Sequence, residues 1–228
     1  MGDRVAKNAL FDGFAAVAKA LSAGRRAELV DVLAQGERTV EALAVEIDQS
    51  VANTSQHLQV LARAGLVTSR RDGTRIHYRL ASDTVGELWA ALRAVAAERL
   101  AGFDDLVDAY IGDRTGLEPV ARAELVRRLR DPATVVVDVR PAAEYDAGHI
   151  AGAHSVPFSE LRRRLRGVPK DREVVAYCRG PFCVYADDAV RLLRRRGYKA
   201  RRLEEGFPEW RRAGLPVTAG PEPKEKLA

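Results

Sequence analysis

The run TVVVDV, residues 134–139, constrains this chain more than any other stretch. Consecutive apolar positions leave no polar face, which is the pattern of a short strand buried on both sides in a parallel sheet. EVVAYC (173–178) repeats the pattern, and KARRLE (199–204) is a weaker third example. Residues 184–197 and 207–213 carry apolar side chains at helical spacing between and after these runs. Strand, helix and strand in alternation predict an α/β domain with a parallel sheet. Such sheets place their sites at the carboxyl ends of strands, and EVVAY runs directly into Cys178.

The first hundred residues follow a different period. FDGFAAVAKALS (11–22) and GRRAELVDVLAQ (24–35) have apolar residues three and four apart, as helices require. TVEALAVEI (39–47) follows with Thr39 as its N-cap, and Ser50 caps a further helix, VANTSQHLQVLARAG, that ends at Gly65. LVTSRRDGTRIHYRL then predicts a β-hairpin turning at Asp72-Gly73, with Val67, Ile76, Tyr78 and Leu80 in its strands. A long helical run, about 83–111, closes this half and is broken by GDRTG at 112–116. Helices followed by a hairpin in this order predict a winged helix-turn-helix. Helix 39–47 braces helix 51–64 for entry into a major groove. Val51, Thr54, Leu58 and Leu61 are expected to face the core, leaving Asn53, Ser55, Gln56 and Gln59 outward, where amides and hydroxyls meet base edges. Between Gln49 and Leu80 five arginines (63, 70, 71, 75 and 79) stand against Asp72 alone, and Arg70, Arg71 and Arg75 at the hairpin are expected along phosphates or in the minor groove. The residues alone also fit a helical protein–protein module with a basic hairpin.

Here composition matters. At 228 residues the chain has room for two domains of different architecture, joined within 101–118. No stretch approaches the roughly 20 apolar residues that span a bilayer. The start, MGDRVAKNALFDGF, has acidic residues and no apolar core, so no signal peptide is expected and the protein is read as cytoplasmic. In that reducing compartment two neighbouring cysteines point to catalysis, redox chemistry or metal rather than a structural staple. Both of the chain's cysteines, Cys178 and Cys183, lie in one loop, CRGPFC. The tail TAGPEPKEKLA (218–228) is rich in Pro, Gly and charge and is expected to be disordered.

TSQHLQVLARAGLVTSRRDGTRIHYRL resembles the recognition helix and wing of the ArsR-type bacterial repressors. Their pattern S-x-H-L-x-x-L-x-x-A-G-L-V, followed by a basic stretch and a tyrosine, falls on Ser55, His57, Leu58, Leu61, Ala64, Gly65, Leu66, Val67 and Tyr78. The resemblance covers about residues 8–100. It implies a homodimer on palindromic double-stranded operator DNA, with helices 11–22 and 83–100 at the dimer interface. Val51 and Ala52 stand where many relatives carry polar base-reading residues. This half has no cysteine and 83–111 has no histidine, so metal sensing of the family's usual kind is not expected. Sensing through a cysteine pair in the repressor domain is excluded by the same absence.

In the second half, a loop that curls from Cys178 into a helix starting near Val184 gathers backbone N–H groups around one point, and these with the helix dipole favour an anion. A thiolate is such an anion, so Cys178 is expected to be nucleophilic. Arg179 adds positive charge, Gly180 relieves backbone crowding, and Pro181 removes one donor from the cradle. DVRPAAEYDAGHIAGAHSVP (138–157) and GFPEWRRAGLPV (206–217) resemble the signature and closing element of the rhodanese family. That resemblance covers about 119–217. It implies that Cys178 takes a sulfane sulfur from a donor such as thiosulfate or polysulfide and holds it as a persulfide. Arg179, Gly180, Phe182, Cys183 and Val184 would form the sulfur- and anion-binding loop. Asp138, Arg140, Glu144 and His149 of the signature are read as mainly structural, with a proton-carrying role for His149 as the alternative. A related cysteine-loop pattern for phosphate esters, C-x-x-x-x-x-R, is not met, because the sixth residue after Cys178 is Val184. Cys183 reads either as a small apolar filler or as a resolving thiol.

The expectation is therefore two domains, a mainly α winged helix-turn-helix over 1–100 and an α/β rhodanese-like domain over 119–217, with 101–118 as linker. No cofactor, metal or membrane is expected. The leading functional reading is a DNA-binding regulator whose rhodanese domain senses or transfers reactive sulfur through Cys178. An active sulfurtransferase with an autoregulatory DNA-binding domain, and an inert rhodanese domain used for dimer contacts, stand beside it.

Overall fold

Asp3 opens the first helix by accepting a hydrogen bond from Val5 N at 2.9 Å, so helix α1 runs Arg4–Ala20 and begins about two turns before the periodicity indicates. The computed structural model describes residues 3–164 and 170–221, and the chain divides into two units, 1–96 and 97–228.

In the first unit α1 is followed by α2 (Gly24–Leu33), strand β1 (Arg38–Thr39), α3 (Val40–Glu46), α4 (Val51–Arg63), β2 (Val67–Asp72), β3 (Arg75–Leu80) and α5 (Asp83–Arg99). The caps fall where the side chains dictate. Thr39 accepts from Ala42 N, Ser50 accepts from Asn53 N, and Gly65 leaves α4 at a positive φ of 72°. Thr54, Leu58 and Leu61 bury the inner face of α4 against Leu29, Leu33, Leu43 and Ile47. Each buried leucine contributes about 1.5–3 kcal/mol. Val51 departs from expectation. It is 45% exposed, because as the first helical residue it lies a turn ahead of that face. The hairpin closes through Gly73 and Thr74, with Asp72 paired to Arg75, one residue later than expected. Strand β1 pairs antiparallel with β3 and makes the wing three-stranded, a pairing no short-range signal announced. Trp89 Nε1 donates to Asp31 Oδ1 at 2.7 Å and ties α5 to α2. In α1 only Ala20 is buried, and Leu10, Phe11 and Phe14 are exposed.

The long helical run does not continue to 111. Gly102, at φ 74°, breaks it and precedes α6 (Phe103–Ile111) in the second unit. There follow β4 (Pro119–Val120), α7 (Arg122–Arg128), β5 (Thr134–Asp138), α8 (Ala142–Ala147), β6 (His149–Ile150), β7 (His154–Ser155), α9 (Leu161–Arg164), β8 (Glu173–Tyr177), α10 (Val184–Arg195), β9 (Lys199–Leu203), α11 (Phe207–Arg212) and β10 (Val217–Thr218). The main sheet has the order β4-β9-β8-β5-β7 with every pair parallel. Both faces are covered, which explains the unbroken apolar runs. Val135, Val137, Val174 and Ala176 pack with Val190 and Leu193 on one face. Val136, Val175 and Tyr177 pack with Leu125, Phe207 and Trp210 on the other. The first residues of the expected disordered stretch are ordered. Thr218 pairs with His149, Gly220 N donates to Asp146 O, and the remainder of the expected disordered stretch, 222–228, lies outside the described residues.

Candidate functional site

From β5 the chain goes first to β7 on one side and then to β8 on the other, so the carboxyl ends of β5 and β8 flank the point where strand order reverses. Open parallel sheets bind ligands at such points. Cys178 leaves β8 there and is almost fully buried. The next residues form a turn in which Cys183 N donates to Gly180 O at 3.2 Å, with Pro181 in the second position, where its fixed φ fits. Cys183 is the N-cap of α10. The two sulfurs are joined in a disulfide, with the Cα atoms 6.2 Å apart. The loop thus brings the only two cysteines together. In this form the Cys183 amide is committed to the turn.

A second segment supports the loop. Phe207 N donates to Cys178 O at 3.1 Å, and a Cβ on Gly206 would lie 2.3 Å from Gly180 N and 2.4 Å from the Arg179 carbonyl carbon. Only glycine allows that backbone approach. Glu209 closes the arrangement by accepting from Gly206 N at 3.0 Å. GFPEW therefore works as the floor of the cysteine loop, a role its sequence does not advertise.

The charges near the loop are paired. Arg179 donates in a bidentate manner to buried Glu144, with Nη2 2.6 Å from Oε1, so its charge is matched by a carboxylate of α8. Arg140 and Asp138 form a fully buried pair at the end of β5, where Arg140 Nη2 also donates to Gly148 O. The Arg140 guanidinium lies over the Tyr177 ring, 5.6 Å from its centroid, and the Tyr177 hydroxyl accepts from Ile150 N; burial and the Asp138 carboxylate push that hydroxyl's pKa well up. His149 is stacked on Tyr145 at 3.6 Å, and its Nδ1 lies 2.9 Å from Tyr145 O, so that nitrogen carries the proton. Asp187, wholly buried in the first turn of α10, is met by Arg114 from one side and Arg202 from the other. Burial, then the Arg114 charge, lowers the Arg202 pKa, and Asp187 offsets them. Arg114 escaped the sequence reading altogether, since nothing local marks a linker arginine as a loop partner. Among the described residues no group of three or more His, Cys, Asp or Glu could hold a metal ion, and no helix is long and apolar enough to cross a membrane.

In the first unit, Asn53, Gln56 and Gln59 are exposed along α4 and Ser55 is half-buried. Val51 and Ala52 extend that exposed surface at the helix start. In the wing Arg71, Arg75 and Arg79 are exposed. Arg70 is exposed too, but its guanidinium donates to both oxygens of Glu37, and Nη1 donates to Asp72 at 3.3 Å. The Arg70 hydrogen bonds hold the Glu37 carboxyl below the usual carboxylate range. Arg71 Nε donates to Gly73 O and stiffens the turn.

Comparison with known proteins adds independent findings. A model of the "Bacterial regulatory protein, arsR family" matches residues 24–69, and a "Rhodanese-like domain" model matches residues 121–213. The HTH-type transcriptional regulator Rv0324 of Mycobacterium tuberculosis is 47% identical over 214 residues, covering 94% of each chain. A sulfurtransferase of Allochromatium vinosum is 38% identical over 97 residues, 42% of this chain and 89% of its own. A solved homodimeric winged helix-turn-helix domain of Mycobacterium bovis Mb0332 is 47% identical, covers 44% of this chain and 91% of its own, and superposes with a TM-score of 0.41.

Proposed function

The chain belongs to the ArsR family of HTH-type transcriptional regulators and carries a C-terminal rhodanese-like domain, and on that footing we propose that it binds operator DNA as a homodimer whose affinity is set by sulfur carried on Cys178. The observation that carries the reading is the division of chemistry. Both cysteines meet in one loop at the end of β8, while the exposed amides of α4 and the arginines of the wing lie in the other unit. The uncovered apolar side chains of α1 support a second copy of the chain as partner.

The reaction follows from the reduced loop. The Cys178 thiolate attacks the outer sulfur of thiosulfate, the S–S bond of the donor breaks, and sulfite leaves with the electron pair. Loop amides and the N-terminus of α10 hold the anionic persulfide. Cys183 then attacks Cys178 Sγ. The disulfide forms, the terminal sulfur leaves as hydrosulfide, and the Cys183 proton goes with it. Two thiols are oxidised, and one donor molecule is reduced to sulfite and sulfide. A Cys178–Cys183 bond is what that sequence would leave, and the pairing of the two sulfurs supports the reading.

A working sulfurtransferase is the second reading, favoured by the similarity of residues in this half to a sulfurtransferase. Intact-mass measurement of the reduced chain after brief exposure to thiosulfate or polysulfide tests both. Gain of one sulfur that requires Cys178, with Cys183→Ser trapping the persulfide, is the expected result. Sustained sulfur transfer to an added thiol favours the enzyme. An unchanged mass in every variant overturns both and leaves the domain as a scaffold.

A further inference from the structure

The cysteine loop is gripped from outside by one side chain. Arg114, three residues beyond α6, donates through Nη2 to Pro181 O at 2.6 Å. The same guanidinium donates to Asp187 Oδ2 through Nη2 at 2.8 Å and Nε at 3.2 Å. On the far side of Asp187, Arg202 Nε lies 3.2 Å from Oδ1, an ion pair with poor hydrogen-bond geometry. Helix α6 brings Phe103 edge-on to Phe182 of the loop, ring centroids 5.5 Å apart. Arg191 and Arg194 of α10 donate to the carbonyls of Asp113 and Gly116. The segment is thereby fastened to α10 on both sides of Arg114.

We infer that Arg114 is a positioning residue for the sulfur-carrying loop, fixing the Pro181–Phe182 peptide and neutralising the Asp187 carboxylate with one guanidinium. The inference rests on the reading of Cys178 as the sulfur carrier. Two physical points carry it. First, the described chain has no cis peptide, so the Phe182 N–H points opposite to the carbonyl that Arg114 holds. Fixing that carbonyl fixes the direction of a loop donor, and donors aimed in advance are what stabilise an anion. Second, Asp187 sits in the first turn of the helix whose N-terminus carries the loop, where its charge opposes a thiolate or persulfide. Two guanidiniums on one carboxylate reverse the sign of that field. Arg can do both tasks at once because its fork presents several donors in one plane, and Lys cannot. Other charged groups near the loop are paired, Arg179 with Glu144, Asp138 with Arg140, Glu209 with Arg212, and Asp188 of α10 with Arg191.

The test uses the full-length reduced chain carrying Cys183→Ser, in which Cys178 is the sole cysteine. Two rates are read, sulfur gain from thiosulfate by intact mass and alkylation of Cys178 by iodoacetamide across pH. Arg114→Gln is expected to slow sulfur gain roughly tenfold or more and to move the alkylation midpoint up by about one pH unit. Arg114→Lys is expected to restore the midpoint but not the rate of sulfur gain. Arg194→Gln, which loosens the same segment at Gly116 and leaves the Asp188–Arg191 pair in place, is expected to change neither. The inference is overturned if Arg114→Gln behaves as its parent, if Arg194→Gln reproduces its losses, or if Arg114→Lys takes up sulfur at the parental rate. Should Arg114→Gln fail to fold, the lysine variant still decides. Should no variant gain sulfur, the proposed function falls, and the alkylation midpoints still decide the role of Arg114.

Discussion

At Gly206 the absence of a side chain is a structural requirement, because the backbone of the cysteine loop occupies the space a Cβ would take. Gly206→Ala must push Arg179 and Gly180 away. We expect a loss of about 1–3 kcal/mol in thermal unfolding and roughly hundredfold slower sulfur gain at Cys178. A variant that unfolds earlier but loads normally would show that the loop tolerates displacement. In the DNA-binding unit the corresponding single residue is Glu37, which occupies Arg70. Its lowered pKa means that the pair is fully formed above the ordinary carboxylate range and is lost only as pH falls through the lowered value. At neutral pH, then, only substitution releases Arg70. Glu37→Gln is expected to tighten DNA binding severalfold and to steepen its salt dependence by about one unit, read from binding isotherms across salt. The charge of Arg70 alone puts it among the expected DNA contacts, and Glu37, 33 residues away in the chain, carries no local signal that ties it to Arg70.

Elements divide by how local their causes are. Helix α4 was legible end to end, because Ser50, the spacing of Thr54, Leu58 and Leu61, and Gly65 all act within one helix. Its outward amides were legible for the same reason. Val51 was misplaced, since the first residue of a helix belongs to the face its neighbours define in space. Leu58→Ala should cost about 2–5 kcal/mol of unfolding free energy, whereas Gln56→Ala on the exposed face should leave stability within about 0.5 kcal/mol and reduce discrimination at one base pair by about 1–3 kcal/mol. Competition binding on single-base variants of a DNA fragment selected from a random pool reads the second effect. Equal loss on every sequence would assign Gln56 to the phosphate backbone instead. Strands β5 and β8 announced themselves through continuous valines, but β1, β4, β6, β7 and β10 have two residues each and exist only because a partner strand is present.

For the whole molecule, the proposal requires that the state of the Cys178–Cys183 pair alter DNA affinity. Couplings of this kind are worth about 1–3 kcal/mol, so the oxidised and reduced chains should differ roughly 5- to 150-fold on the same fragment, and Cys183→Ser should abolish the difference between oxidising and reducing conditions. Equal affinities in both states would remove the regulatory reading and favour the sulfurtransferase. The sequence alone determined the two-part architecture, the winged helix-turn-helix, the parallel sheet and the position of Cys178 at a strand's end. Each of these rests on periodicity, caps or turns, which are written within a few residues. Tertiary structure alone decided that Cys183 meets Cys178, that Arg179 is matched by Glu144, that Gly206 floors the loop and that Arg114 grips it. The reason is physical. A charge, a sulfur or a missing Cβ acquires its role from what stands within a few ångströms; the two cysteines are five residues apart and meet only when the turn forms, and the other neighbours arrive from 26 to 73 residues away only when the sheet has closed.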